Sequence, residues 1–280
     1  MSAPLPQGAG RSDRPRLLSY AGRWGRARRW LPGDAQLVLD VGCAFGYGTA
    51  ALASNGPGGR RVIGSELDPA HLADARRHFS FLPLVRADAT ALPFRAGGMD
   101  AVTILDVIEH VADPTSVLAE VHRVLRPDGR LIVSVPHRGL LMNLDSLNVY
   151  PALRRRWPSW PPLEPADEAA TGVHRHFGVD EVRQLLGDRF AVEGVARTGL
   201  GLAEPFHLAI LVVFKALLRW ERVYRSLLLV HLLLYLLDDL IPGGPLGYHL
   251  TMRATPVRQT ARATGSDQAA GRVPAPAGVS

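Results

Sequence analysis

The chain has very little cysteine and lysine. Cys43 is the one cysteine in 280 residues, so no intramolecular disulfide can form, and a reducing intracellular compartment is the simplest expectation. No charged-then-apolar leader is recognised at the N-terminus, and no apolar run reaches the roughly 20 residues needed to cross a bilayer. Glycine, at 28 residues, is far too sparse for a collagen-like chain. These absences favour a globular protein, which we expect in the cytoplasm.

Positive charge is present in excess, but almost all of it is arginine. The formal net charge is +6, and Lys215 is the one lysine among 32 cationic residues. A basic protein can bind nucleic acid or an anionic membrane, but an arginine bias also arises from a GC-rich coding sequence, which is the interpretation we favour. The arginines crowd the first thirty positions, at Arg11, Arg14, Arg16, Arg23, Arg26, Arg28 and Arg29.

Short apolar runs alternate with segments of helical periodicity. Strands are predicted at 37–41, 62–65, 82–86, 101–105 and 131–135, with a sixth at 190–195 and a seventh at 248–254. Helices are predicted at 69–79 and 114–125, each beginning at an Asp-Pro pair. This alternation predicts an α/β, doubly wound, Rossmann-like fold: a seven-stranded, mostly parallel sheet with helices on both faces.

The organisation along the chain follows from composition. We expect a loose N-terminus over 1–12, one folded domain over 13–254 and a disordered tail over 255–280, because both ends are rich in small residues and proline. Within the domain, 138–173 is irregular and is predicted to be a lid loop. A helical apolar insert is predicted over 203–244, with two apolar runs at 208–218 and 227–237.

The apolar insert has three interpretations. Each run is roughly 11 residues, about 16 Å as a helix, which is too short to span a bilayer. The segment 206–237 is therefore a hairpin that enters one leaflet, a cap packed on the sheet, or an oligomer interface such as that of a homodimer.

A glycine-rich turn follows the first predicted strand. It runs from Asp40 through Gly42 and Gly46 to Gly48, and small residues there let a ligand approach the backbone. The pattern Gly46-x-Gly48-x-x-Ala51 also fits a dinucleotide site. Two features oppose that alternative, since Gly46 lies five residues after Val41 and the Asp40 carboxylate would face a pyrophosphate.

Acidic residues also end the next two strands. Glu66, followed by Leu67, could accept both hydroxyls of a ribose, and Asp88, followed by Ala89, could accept the exocyclic amine of adenine. Each residue taken singly is more often part of a turn or a helix cap. Together, Asp40, Glu66 and Asp88 are a stronger indication of a ligand site, because an open α/β sheet binds its ligand at the ends of successive strands.

At this point the sequence resembles the class I S-adenosylmethionine-dependent methyltransferases, particularly the branch of ubiquinone and menaquinone biosynthesis enzymes. The resemblance runs from about residue 20 to residue 197. Beyond the turn and Glu66, it is carried by Ala89-Thr90-Ala91-Leu92-Pro93-Phe94, Met99-Asp100-Ala101-Val102, Asp106-Val107-Ile108-Glu109-His110-Val111, Glu120-Val121-His122-Arg123-Val124-Leu125-Arg126-Pro127-Asp128-Gly129 and His174-Arg175-His176-Phe177. Ala44 departs from the pattern, since the family usually has glycine there.

The resemblance implies S-adenosylmethionine as the cofactor and assigns residues to it. Asp106 would lie near the methionine carboxylate, Glu66 with Leu67 at the ribose, and Asp88 with Ala89 at the adenine. The residues implied around the methionine moiety are Asp40, Gly42, Cys43, Ala44 and Gly46.

Methyl transfer needs mainly positioning, because the methyl group sits on a sulfonium that is already reactive. A general base is optional. If the acceptor is a hydroxyl, His137, His110 and His174 are the candidate bases, with His137 first because it follows the fifth strand. No metal site is predicted.

The acceptor is predicted to be a small, lipophilic or lipid-linked molecule, methylated at oxygen or carbon. Nucleic acid is disfavoured, because Cys43 is committed to the turn and Leu105-Asp106-Val107-Ile108 differs from the motif of the base-amino methyltransferases. The apolar insert and the arginine-rich arm predict attachment to the inner face of the membrane. An NAD-dependent oxidoreductase and an inactive methyltransferase-like binding protein are the alternatives.

Overall fold

The computed structural model describes residues 22–53, 59–162 and 174–257. The predicted loose N-terminus at 1–12, residues 163–173 of the predicted lid and residues 258–280 of the predicted tail lie outside the described residues.

The described part of the chain folds around one seven-stranded sheet. Its order is β3-β2-β1-β4-β5-β7-β6. Strands β1 to β5 pair parallel to one another, while β7 runs antiparallel between β5 and β6. The strands are β1 Leu37–Val41, β2 Arg61–Glu66, β3 Leu84–Arg86, β4 Met99–Leu105, β5 Leu125–Pro136, β6 Phe190–Thr198 and β7 His249–Pro256. The predicted fold class is confirmed.

Helices cover both faces of the sheet. They are α1 Gly22–Trp30, α2 Tyr47–Ala53, α3 Pro69–His78, α4 Pro114–Val124, α5 Ser146–Arg156, α6 Val179–Leu186, α7 Ala203–Ile210 and α8 Glu221–Asp238. The two Asp-Pro pairs act as expected: the Asp68 carboxylate accepts the Ala70 N–H, and Asp113 accepts the N–H groups of Thr115 and Ser116.

Alternate residues of the central strands supply the two sides of the core. Leu39 and Ile104 face one apolar cluster, which includes residues of α4 and α6 such as Val121 and Leu186. Val38, Ala101 and Ile132 face a second cluster, to which α1 contributes Ala27 and α2 contributes Leu52. Because the sheet is buried on both sides, its strands read as near-continuous apolar runs.

The segment 138–173 is more regular than expected, because α5 occupies residues 146–156 despite Pro151. Asp145 begins the helix by accepting the Leu147 N–H. Tyr150 then fixes it in place: its ring is buried against Trp160 and its hydroxyl donates to the Pro161 carbonyl. Tertiary packing thus overrides the local proline signal.

The apolar insert forms two antiparallel helical segments. Helix α7 continues as a π-helix over Leu211–Leu217, and α8 returns. We call α5, α7 with this continuation, and α8 the helical cap. Its own apolar cluster contains Tyr150, Ile210, Leu211, Ala216 and Tyr224. Among the helices of the described ranges, none is long and apolar enough to cross a membrane.

Two adjacent carboxylates at the end of α8 join the helical cap to the sheet. Asp238 accepts the N–H groups of Leu200 and Gly201. Asp239 accepts the Thr198 hydroxyl at 2.6 Å and the Arg23 backbone N–H at 2.7 Å. Helices α1 and α8 are therefore both held at the end of β6.

Candidate functional site

A cavity of ≈ 300 Å³ opens at the carboxyl ends of β1 and β4. The strand order reverses between these two strands, which is where open α/β sheets bind ligands. The lining combines a short turn, the tip of β4 and helix α1. It consists of Arg23, Trp24, Asp40, Gly42, Cys43, Ala44, Phe45, Tyr47, Gly48, Leu105 and Asp106.

The turn after β1 adopts left-handed backbone conformations at alternate residues. The φ angles are 73° at Gly42, 43° at Ala44 and 82° at Gly46. A Cβ at Gly42 would overlap the Cγ2 of Val107. Glycine is thus required at position 42 both by the positive φ and by the close approach of the loop after β4. Ala44 also has a positive φ although it has a side chain, so its backbone is strained.

Asp40 lies beneath the turn and is almost completely buried. Its two carboxylate oxygens accept the hydroxyls of Thr49 and Thr103, each at 2.7 Å. Burial raises the pKa of Asp40 to about 6, although the two hydroxyl donors oppose the shift. Asp40 therefore ties the turn to α2 and β4, and it also lines the cavity.

A partly buried ion pair also lines the cavity. The Arg23 Nε lies 2.6 Å from the Asp106 Oδ2, and the guanidinium also donates to the Tyr235 hydroxyl of α8. Burial alone would raise the pKa of Asp106, but the charge of Arg23 holds it below its ordinary value. The pair places one positive and one negative charge at the cavity wall, in reach of a ligand that carries both.

Glu66 and Asp88 lie at the tips of β2 and β3, along the same edge of the sheet. The Glu66 carboxylate accepts three backbone N–H groups, from Ala44, Leu67 and Asp68, at 2.8–2.9 Å. It therefore holds the turn in place and keeps capacity for about one further donor.

Asp88 is exposed and accepts the N–H and hydroxyl of Thr90, which hold its pKa below the ordinary value. Neither carboxylate, nor Leu67 or Ala89, is among the residues that line the cavity. Their roles at ribose and adenine stay predictions.

Cys43 and Gly46 support the turn. The Cys43 N–H donates to the Ser65 carbonyl, and the Gly46 N–H donates to the Cys43 carbonyl. Burial raises the pKa of the Cys43 thiol to about 12, so this cysteine stays protonated.

The three candidate histidines lie in different surroundings. His137 is buried, its Nδ1 is 2.6 Å from the Gly247 carbonyl, and burial lowers its pKa. None of the three candidate histidines is among the cavity-lining residues. His110 and His174 stack on each other with ring centroids 5.4 Å apart, next to Glu109. The structure thus brings together His110 and His174 and leaves His137 apart; a catalytic role for each stays a prediction.

Sequence reasoning missed Arg23, Glu109 and Asp145. Arg23 is one of a crowded arginine group, and nothing in its spacing distinguishes it from Arg26 or Arg28. Glu109 precedes the candidate His110 in the sequence, which was a usable signal. It is buried, and burial together with the neighbouring Asp106 raises its pKa well above the ordinary value.

Comparison with known proteins finds similarity to methyltransferases over part of the chain. Residues 39–133 match the family model described as a methyltransferase domain. The chain is 37% identical over 101 residues to a probable S-adenosylmethionine-dependent methyltransferase of Mycolicibacterium smegmatis, covering 36% of this chain and 38% of that protein. It is 38% identical over 126 residues to a demethylmenaquinone methyltransferase of Thermus thermophilus, covering 42% of this chain and 57% of that protein. The matches therefore span less than two thirds of either relative.

The same fold occurs in solved structures. A putative sarcosine dimethylglycine methyltransferase from Galdieria sulphuraria superimposes with a TM-score of 0.53 at 16% identity, covering 82% of this chain and 85% of that one. A structure described as an S-adenosylmethionine-dependent methyltransferase from Aquifex aeolicus gives 0.51 at 13% identity, covering 88% and 95%.

Proposed function

We propose that this chain, whose residues 39–133 form a methyltransferase domain, methylates a small, lipophilic or lipid-linked acceptor with S-adenosylmethionine. The observation that carries the proposal is the cavity at the β1/β4 reversal, walled by the glycine-rich turn and by the Arg23–Asp106 pair. The cofactor's amino-acid end bears a carboxylate and an amine, which match one cation and one anion.

The residues present fit this cofactor. Arg23 would hold its carboxylate, Asp106 its amine, and the backbone of the turn would pack against its methionine moiety. Trp24 and Phe45 add apolar surface that excludes water from the cavity. When bound, the cofactor supplies a methyl group on a positively charged sulfur. The chain's contribution is to hold the acceptor in line with that sulfur.

Calorimetry on the full chain tests the cofactor. We expect heat on titration with S-adenosylmethionine and none with NAD. Glu66→Gln should weaken binding by roughly tenfold, about 1.4 kcal/mol, because it alters a carboxylate that orders the turn. Glu193→Gln is the matched control, since Glu193 pairs with Arg130 and Arg253 on the β6 side of the sheet. Binding of NAD alone would overturn the assignment.

A second experiment tests the acceptor. The protein is incubated with cofactor labelled in the methyl group and with separate lipid and aqueous metabolite extracts. We expect label in the lipid fraction. Cofactor binding without label in either fraction would instead favour an inactive binding protein.

The outer surface of the helical cap supports a lipid partner. Large apolar side chains of α8 point to solvent, among them Leu229, which is 71% exposed, and Leu233 and Leu237. Arg219, Arg222 and Arg225 lie at the other end of this segment, where they could meet anionic headgroups. We therefore propose that this face contacts the inner membrane surface and presents the cavity to its acceptor.

Vesicle flotation tests the membrane contact. The full protein should float with vesicles containing anionic lipid, and the triple variant Leu229→Ser, Leu233→Ser, Leu237→Ser should not. Val195→Ser, at an exposed position of β6, is the control and should float like the wild type. A stable homodimer without flotation would refute the membrane contact and assign this face to self-association.

A further inference from the structure

A cluster of histidines and carboxylates lies near Asp106, and the cofactor contacts proposed above do not use it. The Glu109 Oε1 is 4.0 Å from the His110 Nε2 and 3.9 Å from the His174 Nε2. One ligand atom from each of the three residues lies within 4.8 Å of the other two. Glu109 follows the cavity-lining Asp106 by three residues, and both Glu109 and His174 lie close enough to Asp106 to interact with its charge.

Glu109 is the central observation. Its side chain is fully enclosed, and neither carboxylate oxygen has a hydrogen-bond partner in the described structure. Carboxylates that are this deeply buried are normally paired, hydrogen-bonded or bound to a metal ion, because an unsatisfied one is costly. A cation between Glu109 and the two imidazoles would satisfy it.

His174 is already oriented to bind such a cation. Its Nδ1 lies 2.5 Å from the Asp145 Oδ2, and an ionised carboxylate can only accept, so Nδ1 carries the proton. The lone pair of Nε2 then faces Glu109 and His110. In metal sites, the histidine nitrogen that does not bind the metal usually donates its N–H to a carboxylate, which fixes the orientation of the ring.

The loop that carries Glu109 and His110 is also fixed from outside. Arg175 donates to the carbonyls of Ile108, Glu109 and Val111. The residue next to His174 therefore clamps the loop that bears the other two ligands. This arrangement holds together residues that are 64 positions apart in the chain.

We propose that Glu109, His110 and His174 bind a divalent transition-metal ion of the Zn²⁺ class, with Asp145 positioning His174. Two nitrogens and one oxygen suit these ions, whereas Mg²⁺ and Ca²⁺ prefer oxygen ligands throughout. Three protein ligands leave coordination positions open, as in catalytic rather than structural sites. Binding would draw the ligand atoms to about 3.3 Å from one another, which shortens the two Glu109–histidine distances by about 0.6 to 0.7 Å.

The site rests on this geometry and not on the proposed methyl transfer. The sequence predicted no metal site, because the ligands come from two segments without a recognisable spacing. A second group, formed by Asp145, His174 and His176, shares His174. We favour the first group because Asp145 already has the donors Leu147 and His174, whereas Glu109 has none among the described residues.

Equilibrium dialysis of the full chain against Zn²⁺, after treatment with a chelator, tests the proposal without cofactor or acceptor. We expect one tightly bound ion per chain. Glu109→Gln and His174→Ala should each weaken binding at least tenfold, and Asp145→Asn about 10- to 100-fold. His122→Ala is the control, because His122 lies on α4 with its Nε2 near the Val257 carbonyl, and it should bind like the wild type.

A readout on the wild type keeps the test valid even if a variant fails to fold. Pulsed electron paramagnetic resonance of the Cu²⁺-loaded protein should show two coordinated imidazoles. Absence of stoichiometric Zn²⁺ binding by the wild type would overturn the proposal. Loss of binding in His176→Ala with full binding in Glu109→Gln would also overturn it, since the ion would then lie on the second group. None of these results bears on cofactor binding, which calorimetry measures separately.

Discussion

The cavity at the β1/β4 reversal and the residues around it, which we call the crevice, are built differently from the helical cap. The crevice is fixed by backbone conformation and polar contacts: a turn with positive φ angles, the Glu66 carboxylate that accepts three backbone N–H groups, the buried Asp40, and the Arg23–Asp106 ion pair. The cap consists of apolar helices that meet through side chains distant in the chain, such as Tyr150 and Leu211. The crevice buries its polar groups, whereas the cap exposes leucines.

This difference separates two kinds of constraint. Backbone conformation and hydrogen bonds fix the crevice, so adding a single atom there should have a large effect on the stability of the fold. Side-chain volume fixes the inner face of the cap, and its outer face is free of packing within the described structure. The two regions meet at Asp238 and Asp239, which hold the end of α8 against β6.

Among these substitutions, Gly42→Ala should reduce the stability of the fold the most. This loss would show that the crevice has no room for an added atom at position 42. The new methyl would combine a positive φ with overlap of Val107, and we expect a loss of about 4 kcal/mol in the free energy of unfolding, measured by urea denaturation. Gly97→Ala is the matched control: its φ is 61°, but a Cβ there meets no atom within 4 Å, so it should lose only about 1 kcal/mol. Equal losses would contradict the close approach to Val107.

Leu211→Ala tests whether the cap folds as one unit with the sheet. Leu211 is completely buried in the cap cluster, and its truncation should cost about 3 kcal/mol in a single unfolding transition. Leu229→Ala, at an exposed position of the same insert, should change stability by less than about 0.5 kcal/mol. A separate, earlier transition confined to the variant would show that the cap unfolds independently.

Asp40→Asn tests the buried carboxylate beneath the turn. The pKa of Asp40 is raised to about 6 in the folded state, so its contribution to stability is complete below about pH 4 and is lost as the pH rises towards 6. The variant lacks this titration, and its stability relative to the wild type should rise by about 2 kcal/mol between pH 4 and pH 7. Urea denaturation at several pH values measures it. A constant difference across that range would refute the raised pKa.

Ala44→Gly should have the smallest effect. Glycine removes the strain of a φ of 43°, worth about 1 kcal/mol, but adds flexibility to the unfolded chain that offsets most of it. We expect a net change below about 0.5 kcal/mol and cofactor affinity within a few-fold of the wild type. A tenfold loss of affinity would show that the Ala44 methyl group contacts the cofactor.

The sequence predicted the sheet well because strand periodicity and capping are local signals. The runs at 37–41 and 101–105 became β1 and β4, and Asp68 and Asp113 cap helices as their Asp-Pro pairs indicated. The expectation of an irregular segment at 138–173 was wrong over 146–156. Proline and tryptophan suggested a loop, but the packing of Tyr150 against Trp160 maintains a helix there.

Part of the candidate site was also readable. Of the residues predicted around the methionine moiety, Asp40, Gly42, Cys43, Ala44 and Asp106 line one cavity, whereas Gly46 is not among its lining residues; their role in cofactor binding stays a prediction. Arg23 was not distinguishable, because its role depends on where α1 crosses the sheet. Asp145 was missed for the same reason, since its histidine partner lies 29 residues away.

By itself, the sequence indicated the order of the seven strands along the chain, the glycine-rich turn after the first strand and the resemblance to methyltransferases. These follow from periodicity and backbone conformation, which act over a few residues. Only the tertiary structure decided that Arg23 faces Asp106, that the apolar insert covers one part of the fold and exposes another, and that Glu109 meets two histidines. Such contacts depend on how distant segments cross the sheet, and no local pattern encodes that crossing.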